Sequence, residues 1–114
     1  MTTKMTDYDR AREYLDEVAT VAADRRRLKN MREIDDIDWV GTTLEERMKE
    51  DERFLIDAQE RMNQVGGPEG DALICRYVYL LTDSKLGKAI GYCRSGAYKV
   101  LDRGIKAMAH YLPE

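Results

Sequence analysis

Leu81-Thr-Asp-Ser-Lys-Leu-Gly-Lys-Ala-Ile-Gly-Tyr-Cys-Arg-Ser-Gly-Ala-Tyr-Lys-Val100 is the stretch that decides the fold. Leu86 and Ile90 form a four-residue apolar pair, as on one side of a short helix. Gly87 is a small residue where a second helix must come close. Gly91, four residues on, suits a left-handed turn position, which only glycine occupies cheaply. Tyr92 reads as an apolar plug behind the turn. Ala97, Val100, Leu101, Gly104, Ile105 and Met108 then recur at helical spacing and predict the buried stripe of a last helix. Two helices meeting closely around a tight turn make a helix-turn-helix.

The outward face follows by subtraction: Ser95, Tyr98, Lys99, Asp102, Arg103 and Lys106, with Arg94 at the start of the helix. In a helix-turn-helix the first turns of the second helix enter the major groove, so Arg94, Ser95, Tyr98 and Lys99 are placed to meet bases and phosphates. Arginine can bridge guanine bidentately, while tyrosine and lysine more often hold backbone oxygens. Lys85 and Lys88 on the preceding helix are expected at phosphates. Two residues count against this surface. Asp102 faces the same way and repels phosphate, and Gly96 costs about 1 kcal/mol of helix propensity. The plainer alternative is a three-helix core with a merely solvated polar side.

The same residues carry a resemblance. Arg76-Tyr77-Val78, Leu81-Thr82, Leu86-Gly87, Ile90-Gly91-Tyr92-Cys93-Arg94-Ser95, Ala97-Tyr98 and Gly104-Ile105 together resemble the helix-turn-helix of sigma-factor region four. More narrowly, they are similar to the small phage regulators of the ArpU and RinA type, which control late, packaging or lysis genes. The likeness covers about residues 73–108, and the first seventy residues match only in kind. Gly87 stands where alanine is usual, Cys93 where serine is usual, and Gly96 where serine or threonine is common. The resemblance implies a DNA-binding regulator in a bacterial host cell, with a long helical part ahead of the reader.

Upstream, Asp71 to Leu81 reads as a helix with Leu73, Ile74, Tyr77, Val78 and Leu81 apolar, and Thr82 is set to cap the next one. Val65-Gly-Gly-Pro-Glu-Gly70 reads as a turn, since glycine relieves left-handed geometry and proline cannot continue a helix. It lacks the Gly-Lys-Ser/Thr and preceding strand of a phosphate-binding loop. Before it, two amphipathic helices are expected. The first, capped by Asp7, carries Ala11, Leu15, Val18 and Ala22, widened by Tyr14, Val21 and Leu28, to about Met31 or Ile34. The second follows the capping box Thr43-Leu-Glu-Glu46 and carries Leu44, Met48, Leu55, Ala58, Met62 and Val65 around Asp51. A short loop between them folds them back as a hairpin, with Trp39 tucked against the helices. The stripes are thin, so a partner surface is expected, either the C-terminal module or a second copy. Arg25-Arg26-Arg27 reads first as a solvated face and second as a phosphate-contacting patch. The run Asp35-Asp36-Ile37-Asp38 lacks the glycine and closing glutamate of an EF-hand.

Composition bounds the rest. The 114 residues are 36% charged with net charge −3, and two prolines with one phenylalanine leave little for a β-sandwich. Charge is uneven. Residues 71–114 hold seven Lys and Arg against four Asp and Glu, while residues 1–70 hold twelve against eighteen. A basic reader on an acidic support has this asymmetry. Cys75 and Cys93 form no CxxC, and the only histidine, His110, has no catalytic neighbour in sequence and reads as a helix C-terminal residue. No apolar run reaches membrane-spanning length and no signal region opens the chain, so a cytoplasmic protein is expected.

The expectation is therefore an all-α chain: a long antiparallel helical hairpin over 1–65, a turn at 66–70, and a three-helix module over 71–114 containing the helix-turn-helix. Neither enzymatic chemistry nor a cofactor or metal is expected. The expected partners are double-stranded DNA and further copies of the chain, as a homodimer or higher oligomer, with the hairpin supplying pairing or a surface for RNA polymerase. The rival readings are a small terminase-like packaging component and a helical interaction protein that does not bind DNA.

Overall fold

A computed structural model describes residues 5–34 and 41–113, the side chains of 32–34 and 41–44 excepted. Among the described residues the chain is all helical. α1 (Asp7–Ile34) and α2 (Gly41–Val65) form a long antiparallel pair, followed by three shorter helices: α3 (Gly67–Leu73), α4 (Asp83–Ile90) and α5 (Arg94–Met108). α3 runs on as a π-helical turn, Ile74–Val78, and α5 ends in a 3-10 turn, Ala109–Tyr111. The Trp39 packing and the acidic run at 35–38 lie outside the described residues, whereas α2 begins at Gly41, so Thr43 stands inside the helix and not at its cap as expected.

The start of α1 is set by Thr6, not by Asp7 as expected. Asp9 N donates to Thr6 Oγ1 at 3.1 Å, and Thr6 N donates to Asp9 Oδ2 at 3.4 Å. This reciprocal capping box satisfies two backbone amides that have no partner within the helix. The expected stripe is buried: Ala11, Leu15 and Val18 are fully covered, with Tyr14, Ala22 and Leu28 nearly so. On α2, Leu55, Ala58 and Met62 face them, and the Tyr14 and Phe54 rings pack at 6.2 Å with a 45° tilt. Nearer the far end of the hairpin, Arg27 of α1 and Arg47 of α2 both donate to Asp24 Oδ1 at 2.8 Å. Asp51 of α2 joins Asp24 across the pair. Burial and the neighbouring Asp24 carboxyl push Asp51 up to about 6. Arg27 hydrogen-bonded to Asp24 holds that carboxyl below the usual range.

The partner surface for the thin hairpin stripes is the C-terminal part of the same chain. One core runs from Leu15, Val18 and Met62 through Leu73 and Leu86 to Val100 and Met108. Burying each such side chain contributes about 1.5–3 kcal/mol. The Cα radius of gyration is 16.0 Å, against roughly 13 Å for a globule of this length. The excess reflects α1, which at 1.5 Å per residue extends about 42 Å.

The Gly-rich connection corrects the expected boundary. Gly66 and Gly67 make the turn, at φ 71° and 60°, and α3 begins at Gly67 with Pro68 in its first turn. Proline loses nothing there, because the first amides of a helix have no partner within it. Gly70 is instead a packing residue: a Cβ on it would stand 2.7 Å from the Met62 carbonyl oxygen. Gly104 plays the same part on α5, where a Cβ would meet Glu69 O at 2.9 Å and Leu73 Cγ at 3.1 Å. α3 is thus wedged closely between α2 and α5.

The expected helix to Leu81 ends earlier. Tyr79 N bonds to Ile74 O at 3.1 Å and Leu81 N to Cys75 O at 3.0 Å, unwinding the last turn. Arg76 Nη1 closes it by donating to Leu81 O at 3.1 Å. Leu80 takes φ 58°, a conformation costing a residue with a Cβ about 1–2 kcal/mol. Its side chain packs against the core in return.

Candidate nucleic-acid interface

α4 and α5 are joined by three residues, Gly91, Tyr92 and Cys93. Gly91 is left-handed, with φ 78° and ψ 30°, and the carbonyl of Gly87 accepts from both Gly91 N (3.0 Å) and Tyr92 N (2.9 Å). The Tyr92 bond is the six-to-one closure of a Schellman motif and the Gly91 bond the five-to-one closure of an αL cap, and the pair fixes the direction in which the chain leaves α4. Gly87 also makes the approach possible, since a Cβ there would lie 2.8 Å from Tyr92 O. Thr82 and Cys93 occupy the caps of α4 and α5, and the Thr82 side chain bonds no helix amide in the capping role. Beneath the turn, Leu86, Ala97 and Val100 are buried.

Tyr92 is not the plug expected of it. It is 42% exposed, and its ring lies over Gly96, where an added Cβ would meet Tyr92 Cδ1 at 3.5 Å and Cys93 Sγ at 3.3 Å. The main chain closes the turn, so no ring is needed inside it. Gly96 leaves room for these two side chains outside.

Every residue proposed to read DNA is solvent-exposed: Lys85 and Lys88 on α4, and Arg94, Ser95, Tyr98, Lys99 and Arg103 on α5. They differ in what holds them. Tyr98 OH donates to Asp83 Oδ2 at 2.6 Å, and this bond raises its phenol above the ordinary value. Arg103 Nε pairs with Glu69 Oε1 at 3.2 Å, which draws it toward α3. Ser95 Oγ lies 3.5 Å from Cys93 Sγ. The Ser95 hydroxyl and the Gly96 amide lower the exposed Cys93 thiol. Lys85, Lys88, Arg94 and Lys99 enter no ion pair among the described residues.

Asp102 and Asp83 are the only carboxylates on α4 and α5, and both are engaged. Asp102 accepts from Tyr8 OH of α1 at 3.0 Å and pairs with Lys106 at 3.1 Å; Lys106, then Tyr8, hold it below the usual carboxylate range. Asp83 takes Tyr98, with Arg76 Nε at 3.8 Å. Tyr8, Arg76, Asp83, Tyr98 and Asp102, with Arg12, border a cavity of about 300 Å³ beside the exposed face. Sequence reading missed the Tyr8–Asp102 and Tyr98–Asp83 bonds. The first joins positions 94 residues apart, and no local pattern announces it.

The arrangement therefore leaves Lys85, Lys88, Arg94 and Lys99 outside any ion pair among the described residues, Arg94 being hydrogen-bonded to Tyr98, and ties down the two carboxylates beside them. It has the chemistry of an anion-binding surface. Among the described residues, no group of three or more His, Cys, Asp and Glu side chains is arranged to hold a metal ion, and no helix is long and apolar enough to cross a membrane. No family model, curated protein or solved structure matches the chain.

Proposed function

We propose that the chain is a phage- or prophage-type transcriptional regulator that binds duplex DNA through α4, the turn and α5. The observation that carries this reading is the charge pattern of the two helices: Lys85, Lys88, Arg94 and Lys99 enter no ion pair among the described residues, while Asp83 and Asp102 are both bonded. Free lysines and arginines on an exposed helix pair are what duplex phosphates attract. The early turns of α5, with Arg94, Ser95 and Lys99, would enter the major groove, and Lys85 and Lys88 would hold backbone phosphates. Tyr98, held by Asp83, would position the helix rather than read bases. Arg103, held by Glu69, would stand at the edge of the contact.

The overall net charge is −3, so the positive field of one copy is confined to the α4–α5 face and is modest. Two copies would double the phosphate contacts, and the hairpin would supply the pairing surface or a surface for RNA polymerase. The reading gives the chain no catalytic step.

Lysine acetylation with and without a mixed-sequence duplex, read by mass spectrometry, tests the proposal. Duplex should protect Lys85, Lys88 and Lys99 and leave exposed Lys49 of α2 as reactive as before. Equal modification of all four lysines in the two samples would remove the basis of the proposal.

A further inference from the structure

A second basic groove lies away from the α4–α5 face, between α1 and the π-helical turn. Its volume is about 400 Å³; Arg25, Arg26, Lys29 and Asn30 line one side, and Leu55 and Tyr79 stand opposite. Arg25 and Lys29 are four apart, as are Arg26 and Asn30, so the four form two neighbouring rows that line the groove.

The arginine run is divided between two tasks. Arg27 is committed to Asp24 at 2.8 Å, in the clasp with Arg47. Arg26 Nη2 donates to the Tyr79 carbonyl at 3.2 Å, which uses one of five guanidinium donors and holds the others in place. Arg25 reaches Glu52 at 3.4 Å, with the two side chains 43% and 52% exposed, a surface pair weak enough to open. Lys29 enters no ion pair among the described residues.

Arg25 and Lys29 are like charges at i,i+4, a spacing that weakens a helix. They also precede the last turn of α1, outside the reach of the favourable helix-end dipole. This repulsion brings no gain inside the fold, and an external anion would relieve it. Two guanidinium forks, an ammonium and a side-chain amide suit the several oxygens of a phosphate. Tyr79 is 54% exposed, and its ring offers a flat wall for a sugar or base.

We propose that this groove binds the phosphate of a nucleotide unit, supplied either by a nucleic-acid backbone or by a free nucleotide. The proposal does not depend on DNA reading by α5. The test is amide NMR of the full chain titrated separately with ATP and with a short mixed-sequence duplex. Wild type is compared with Arg25→Gln, Lys29→Gln, Lys99→Ala and, as a control for diffuse charge, Lys49→Gln. Thermal melts confirm that each variant is folded.

Resonances of Arg25, Arg26, Lys29 and Tyr79 should move with at least one probe. Arg25→Gln and Lys29→Gln should each weaken that response about tenfold, as loss of a hydrogen bond to a charged group does. Movement with duplex assigns the backbone source, and movement with ATP alone assigns the free nucleotide. Lys99→Ala should leave the ATP response unchanged, so failure of the α5 reading is separable from failure of this one. An unmoved groove with both probes, or an equal loss in Lys49→Gln, would overturn the proposal.

Discussion

Gly104 and Gly96 lie on the same helix, and replacing each by alanine should change stability in opposite directions. Alanine in a helix gains roughly 0.5–1 kcal/mol over glycine from the smaller backbone entropy loss. At Gly104 the new Cβ would stand 2.9 Å from Glu69 O and 3.1 Å from Leu73 Cγ, so α3 and α5 must separate. Forcing atoms into a packed contact of this kind costs about 1–3 kcal/mol, leaving Gly104→Ala about 1 kcal/mol less stable than wild type. At Gly96 the nearest atoms are Cys93 Sγ at 3.3 Å and the Tyr92 ring at 3.5 Å, both on exposed side chains that can move aside. Gly96→Ala should therefore keep most of the helix gain, about 0.5 kcal/mol. Urea unfolding followed by circular dichroism measures the difference. With a slope of about 1–2 kcal/mol per molar, the midpoints of the two variants should differ by about 1 M, Gly104→Ala being the lower. A Gly104→Ala midpoint at or above that of Gly96→Ala would refute the close α3–α5 approach.

Three further outcomes follow from the hairpin and the turn. Thr6→Ala removes the capping box of α1 and should cost about 0.5–1 kcal/mol, read as a lower melting temperature and faster amide exchange in the first turn. Asp51 has a folded value of about 6, above its ordinary 3.8, so it binds its proton more tightly in the folded state. Its contribution is fully present below pH 3.8 and is lost as pH rises through about 6. Asp51→Asn should accordingly be the more stable protein at pH 8 and should lose that advantage by pH 4; identical pH profiles would contradict the Asp24–Asp51 coupling. Asp83→Asn should bring the Tyr98 phenol down toward the ordinary tyrosine value, visible in its ring resonances during an alkaline titration, because the bond to the carboxylate raises it.

What the sequence disclosed and what it hid divide along a physical line. The stripes on α1, α2 and α5 were legible because helix periodicity is local. Gly91 was legible because a left-handed residue between two apolar runs has few other candidates. The run Gly66-Gly-Pro-Glu-Gly70 was misread because glycine serves two purposes that look alike in sequence. Gly66 and Gly67 use their freedom of φ for the turn, whereas Gly70 uses its missing Cβ to meet Met62. Tyr92 was placed inside because it follows a turn glycine, yet the Gly87 carbonyl closes the turn without its ring. Asp102 counted against a DNA-binding face on helix spacing alone. Its bond to Tyr8 is a tertiary fact, and it removes much of that objection. The pairing of Arg103 with Glu69 acts the other way, weakening a residue that spacing had placed on the surface.

Duplex affinity across a salt series tests the central claim most directly. If Lys85, Lys88, Arg94 and Lys99 each meet a phosphate, the slope of log affinity against log salt should be about −3.6 per copy, and about −7 for a pair. For one copy that is a fall of about 150-fold between roughly 50 and 200 mM salt. Arg94→Ala and Lys99→Ala should each weaken binding and reduce the slope by about 0.9 per copy. Binding that is absent, or that neither salt nor these substitutions alter, would contradict the account.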